Sequence, residues 1–238
     1  MKIRQTITFI AVLSLLLGSC EEEKQAASEL TEFQIETIQY FNEIALGLEY
    51  GGFSEVTRKW KQPMRIFVGG RVSDNNLDQL DAVVNEISNL VEDGFGLEVV
   101  SDSVNSNFYI HFGSREKYTA LFPETNQIIQ GANGMSYLYF NQRAELVGGH
   151  MLIDITRATE TEQKHLIREE LTQSLGLARH SSRYENSIFF GPGGSATSYE
   201  EIDRELVRLL YHPNMVVGVT EPGCTAILQN IYLEENSD

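Results

Sequence analysis

The chain has 238 residues, 42% of them hydrophobic, with 18 Lys and Arg against 34 Asp and Glu, a formal net charge of −16. Such an excess of acid repels phosphate backbones and anionic lipid surfaces, so nucleic acid is excluded as a partner. Two cysteines exclude a disulfide-built scaffold, while the apolar content suffices for one sizeable core.

The amino terminus reads as a leader. Lys2 and Arg4 precede an apolar run, Ile7 to Leu17, that is too short to span a bilayer stably, and Leu17-Gly18-Ser19-Cys20 follows. The tetrapeptide resembles the bacterial lipobox, in which cleavage precedes a Cys whose thiol carries lipid. The resemblance implies a signal peptide over 1–19, lipidation at Cys20, an acidic tether over 20–29 and a single domain over 30–238. It implies membrane attachment through that lipid and a place in the bacterial cell envelope, at the outer rather than the inner membrane. Without Lys2 and Arg4 the mature chain has 16 basic and 34 acidic residues, a net charge of −18. The run Glu21-Glu22-Glu23 resembles the charged export tag of some surface lipoproteins of the Bacteroidetes type, and reads equally as a solvated tether. Cys224 is then the one remaining thiol, read as packed rather than reactive.

Beyond the tether, Leu30, Phe33, Ile38, Phe41, Ile44, Ala45 and Leu48 recur at helical spacing until Gly51-Gly52. Pro63 to Gly69 reads as a strand, and about Asn75 to Val91 as a helix with Leu77, Leu80, Val84, Ile87 and Leu90 on one face and Gly94 beyond its end. Leu97 to Ser101 and Asn107 to Phe112 read as strands, Ser114 to Phe122 as a short helix before Pro123, and Gly134 to Phe140 and Glu145 to Ile155 as two more strands. Thr159-Glu160-Thr161-Glu162 is a capping box opening a helix that carries Leu166, Ile167, Leu171 and Leu175. Ser198 to Glu201 reads as a second capping box, with Pro213 closing its helix, and a short helix is expected after Pro222. Strand, helix, several strands and then helices point to an α+β fold with a mixed sheet.

The chemistry concentrates at Arg168 to Leu177. Glu169 and Gln173 stand one helical turn apart with Glu170 beside the first, and Gly176 ends the helix. This layout resembles the H-E-x-x-H segment of zinc peptidases of the metzincin type, in which two His grip Zn²⁺ and the Glu polarises its water. On that template Glu170 is the candidate general base. Glu169, Gln173 and the downstream His180, displaced by one residue, are the candidate metal ligands. A carboxylate and an amide in place of two imidazoles suit harder cations and do not make an ordinary zinc site; whether another divalent metal binds stays open. His165 lies one turn before Glu169 and reads as its partly exposed ion-pair partner or as a replacement ligand.

The segment Ser187-Ile188-Phe189-Phe190 lies where such enzymes carry a Met-turn, without a Met, and Glu201 to Tyr211 resembles their closing helix. The resemblance implies a zincin-like fold: a mixed, twisted sheet with a backing helix, then an active-site-type helix and a closing helix. It also implies a strand edge beside the active helix that pairs with extended peptides; Ala144 to Ile153 is the candidate, with Gly148, Gly149 and His150 as peptide-binding positions. The segments Glu169 to Leu177, Ser187 to Phe189 and Phe41 to Gly51 are also similar to an uncharacterised bacterial family, domain of unknown function 2927, that supplies no reaction. Three readings stay open for the helix: a metal site with Glu170 as base of a metallopeptidase-like hydrolase, a metal-free pocket that binds an extended peptide or envelope component, and a structural polar network. The preferred function is recognition by a lipid-anchored envelope protein; the alternative is the hydrolase. Gly191 to Gly194 lacks a following Lys-Ser/Thr and reads as a mobile loop near the cleft.

Overall fold

A computed structural model describes residues 29–237 apart from 51–53, 130 and 192. The leader, Cys20 and nearly all of the expected tether lie outside the described residues. No described helix is long and apolar enough to cross a membrane.

The elements run α1 (Glu32–Ala45), β1 (Lys59–Trp60), β2 (Met64–Gly70), α2 (Asp74–Leu90), β3 (Leu97–Val100), β4 (Phe108–Gly113), α3 (Arg115–Leu121), β5 (Gly134–Phe140), β6 (Glu145–Asp154), α4 (Glu160–Gln173), α5 (Glu201–Leu210) and α6 (Glu221–Glu235). The sheet order is β1-β6-β4-β2-β3, all parallel, and β5 joins β6 antiparallel. The expected α+β class and element order are present.

Alternation along the strands divides the interior in two. Met64, Ile66, Phe108, Ile110, Phe112, Met151 and Ile153 pack with residues of α1, α2, α4, α5 and α6 in the main core. Met135 and Leu152 point into a smaller core with Tyr118 of α3 and Ile129.

Four local outcomes differ from the sequence expectations. The first helix stops at Ala45 rather than reaching Leu48, because Gly47 turns at φ +128° and its N–H bonds back to the Ala45 carbonyl at 3.2 Å. The two-residue strand β1 carries too little pattern to be read. The α5 cap is Glu200, whose N–H donates to Asp203 Oδ2 at 3.0 Å, so Ser198 does not open that helix. The last helix is 15 residues long rather than short.

The pairing of β6 corrects the expected peptide-binding edge. Gly149 faces Phe108 on one side and Leu138 on the other, His150 faces Tyr109 and Tyr137, and Gly148 pairs with Tyr139. These three residues therefore lie inside the sheet. Its open edge on this side is β5, which among the described strands pairs only with β6.

Candidate functional site

The expected capping box is formed: Thr159 Oγ1 accepts from the Glu162 N–H at 3.3 Å and Glu162 Oε2 accepts from the Thr159 N–H at 2.7 Å, which starts α4 at a fixed residue. The helix is locked laterally by the buried Arg168, whose guanidinium donates to Glu86 at 2.6 Å and lies 4.3 Å from the Tyr199 ring centroid. Its far end is satisfied by side chains: Trp60 Nε1 donates to the Ser174 carbonyl at 2.8 Å and the Tyr211 hydroxyl to the Leu175 carbonyl at 2.9 Å.

At Gly176 the chain turns back. Its φ is +118°, and an added Cβ would meet the Arg58 carbonyl oxygen at 2.0 Å, so only glycine passes here. The return places His180 against the helix. Below it, Ser187 Oγ donates to Asp203 Oδ1 at 2.6 Å and the Ile188 N–H to Oδ2 at 3.0 Å, all buried. The Ser181 N–H donates to the Phe189 carbonyl and the Gly191 N–H to the Ser181 carbonyl, so the segment at the Met-turn position braces the strand of chain that carries His180.

The turn brings together the three candidate ligands. His180 Nε2 lies 2.9 Å from Glu169 Oε1 and 2.8 Å from the Gln173 amide, so the one-residue displacement in sequence does not prevent the contact. The second oxygen of Glu169 lies 3.1 Å from His165 Nε2, whose other ring nitrogen lies 2.8 Å from the Ala196 carbonyl. One carboxylate is thus clamped between two imidazoles. His165 is buried rather than partly exposed.

Electrostatics follow from this clamp. The bond to Glu169 and then that to Glu49 hold His180 up at about 10, so its ring is an imidazolium at neutral pH. For His165, burial is the largest influence and favours the neutral ring, but the bond and charge of Glu169 outweigh it and the pKa is raised. Burial likewise works to raise Glu169, and the two His outweigh it to leave it lowered. An imidazolium that donates Nε2–H to Glu169 has no lone pair for an amide N–H, so the consistent arrangement turns the Gln173 oxygen toward the ring.

Glu170 points the other way, toward β5. A Cβ on Gly134 would lie 2.8 Å from its Oε1, and its Oε2 is buried without a hydrogen-bond partner. Burial, then the charge of Glu169, then that of Glu49 push its pKa well above the ordinary carboxyl range. These influences favour the protonated carboxyl, which can donate a hydrogen bond.

His165, Glu169, Glu170 and His180 line a cleft of about 510 Å³ together with Glu49, Tyr50, Gly131 to Gly134, Phe190, Gly191, Gly193 and Gly194. The Gly-rich loop is therefore at the cleft, as expected. Glu49 and Tyr50, which the sequence reading did not assign, enter from the chain after α1; Glu49 Oε1 lies 3.5 Å from His180 Nδ1. The available signal was the family-like stretch Phe41 to Gly51, in which both stand. As a zinc site the donors fit poorly. They comprise one carboxylate, one amide and an imidazole whose ligating nitrogen is held by Glu169, and among the described residues no group of three or more His, Cys, Asp and Glu converges to hold a metal ion.

The family model described as Protein of unknown function (DUF2927) matches residues 34–230. The chain belongs to this family. Among solved structures it is similar to a structure of myroilysin at 12% identity and a TM-score of 0.41, covering 66% of this chain and 97% of that one. It is also similar to high choriolytic enzyme 1, a hatching enzyme zinc-protease from Oryzias latipes (medaka fish), at 11% identity and a TM-score of 0.37, covering 64% and 94%. No curated protein matches.

Proposed function

We propose that this DUF2927 protein is lipid-anchored through Cys20 in the bacterial cell envelope, at the outer membrane, and that its cleft recognises an extended peptide or an envelope protein without ordinary zinc peptidase activity. The observation that carries the reading is the position of β5. Its outer edge, unpaired by any described strand, lies beside α4 and the 510 Å³ cleft, where an added strand could pair with it. Glu169 is paired with both His165 and His180, which suits a binding surface, and the protonated form of Glu170, which its burial favours, would offer a donor to a peptide carbonyl.

The second reading, a hydrolase with Glu170 as general base and a non-standard metal site, is favoured by the approach of His180 to Glu169 at 2.9 Å and to Gln173 at 2.8 Å. Metal binding there has to displace the proton of His180, held up at about 10, a cost of about 4 kcal/mol at neutral pH. Thermal shift with Zn²⁺, Mn²⁺ and Ca²⁺ separates the two: a cation present at a hundred times its Kd would stabilise the fold by about 2.7 kcal/mol. No shift and binding of unmodified peptides on an array is the expected result. A stoichiometric metal lost in Glu169→Ala or His180→Ala, with peptide cleavage abolished in Glu170→Gln, would establish the hydrolase instead.

A further inference from the structure

The open edge of β5 is not bare. After Gly47 the chain crosses it: Leu48 packs against the main core, Tyr50 against the smaller core on the other face of the sheet, and Glu49 between them reaches His180 at 3.5 Å. Leu48, Glu49 and Tyr50 enclose, with Ser136, Tyr137, Leu138 and Ala178, a cavity of about 40 Å³ at that edge. On its α1 side the crossing is anchored by Arg179, whose guanidinium donates to the Leu46 carbonyl at 2.8 Å and whose N–H donates to the Ile44 carbonyl at 3.2 Å. Among the described residues no backbone hydrogen bond joins residues 48–50 to β5. The segment covers the edge without pairing to it.

We propose that Leu48-Glu49-Tyr50 is an internal stand-in for the ligand: a displaceable strap whose side chains mark the chemistry of the peptide that replaces it. That peptide carries an apolar residue, then an acidic residue, then an aromatic one. The acidic side chain takes the place of Glu49 against His180, and the aromatic ring takes the place of Tyr50 against Tyr118, Ile129 and Met135. A side chain that leaves a buried slot exposes apolar surface and strips a cation of its counter-charge, so a ligand restoring both is preferred over one that restores neither. The backbone hydrogen bonds to β5 that the strap does not make are what the incoming strand adds. This proposal rests on the peptide-recognition reading and names the ligand class for it.

The test uses the full chain in detergent and synthetic acetylated, amidated peptides with the core Gly-Leu-Glu-Tyr-Gly, compared with cores in which Glu is Gln or Tyr is Ala, and with a panel of scrambled peptides. Two chain variants at the exposed position 49, E49Q and E49K, loosen the strap without touching either core. Hydrogen exchange of the β5 amides reports its displacement. The half-exposed pair of Glu49 and His180 allows a two- to fivefold gain in peptide affinity and in β5 exchange for E49Q, and a larger gain for E49K. The Glu-Tyr core should bind E49Q at least fivefold more tightly than the Gln or Ala cores. If the panel binds with no preference for the acidic and aromatic pair, the stand-in proposal is overturned while peptide recognition survives. Unchanged β5 exchange in both variants overturns the strap. Absence of binding by every peptide to E49K, with β5 exchange raised, brings down peptide recognition itself and the ligand assignment with it.

Discussion

Replacing Glu170 by Gln discriminates between a protonated and an ionised carboxyl at the centre of the cleft. In the folded chain the group is buried, its Oε2 has no partner, and its pKa is raised well above the ordinary value by burial and by the charges of Glu169 and Glu49. In the unfolded chain it ionises near 4.5. Above that pH the folded state holds a proton that the unfolded state has released, so stability contributed by the group is complete below 4.5 and falls as pH rises toward the folded pKa. The slope is about 1.4 kcal/mol per pH unit, which over the two units from pH 5 to pH 7 amounts to about 3 kcal/mol if the folded carboxyl stays protonated. Glutamine has the same shape and no such proton, so the difference in stability between E170Q and the parent chain should move in favour of E170Q by that amount. Urea denaturation at pH 5, 6 and 7 measures it directly, and because His180 and Glu169 are present in both proteins their contributions largely cancel in the difference. A pH-independent difference would mean that Glu170 is ionised in the folded chain, as a general base must be, and would refute the electrostatic reading of the cleft.

Three further outcomes follow from the scaffold. Gly176→Ala combines a positive φ with a Cβ 2.0 Å from the Arg58 carbonyl, so a loss of about 3 kcal/mol and a Tm lowered by roughly 6–12 °C are expected in a thermal melt. Trp60→Phe orphans the Ser174 carbonyl at the end of α4 and should cost about 1–3 kcal/mol by urea titration, a larger loss than for an exposed aromatic. His150 is buried and lowered to about 4, chiefly by desolvation, against an ordinary 6.5. The unfolded state therefore binds the extra proton between those values, and about 3 kcal/mol of stability present above pH 6.5 should be lost as pH falls to 4, a loss that His150→Gln removes.

What could be read from the residues was local, and what could not was the pairing of distant segments. The capping box at Thr159 spans three residues and the return of His180 to Glu169 eleven, so spacing and residue type reveal them. Strand order carries no such signature. Both β5 and β6 alternate in the same way, and nothing in Ala144 to Ile153 tells that Phe108 and Leu138 flank Gly149. The expected edge in Ala144 to Ile153 therefore lies one strand inside the open one. Lys59 and Trp60 form a strand only because β6 is there to receive them, and Trp60 caps α4 across 114 residues. Even a capping pattern misleads when a tertiary partner outbids the local one: Asp203, already held by Ser187 and Ile188, draws the start of α5 to Glu200 instead of Ser198.

Oxygen-bearing side chains at positions 169 and 173 determine where the positive charge of the cleft resides. In a site built from neutral imidazoles the positive charge belongs to the cation and leaves with it. Here the positive charge is covalently part of the protein, carried by His180 and matched by Glu169 on one side and Glu49 on the other. The members of this cluster are already paired with one another, so a cation that enters has to break one of those pairs. On the strap proposal, the incoming peptide exchanges a carboxylate for a carboxylate and leaves His180 paired throughout. The strap supplies its carboxylate from a half-exposed side chain on a segment with no backbone bond to the edge it covers, which makes Glu49 the member of the cluster most readily exchanged.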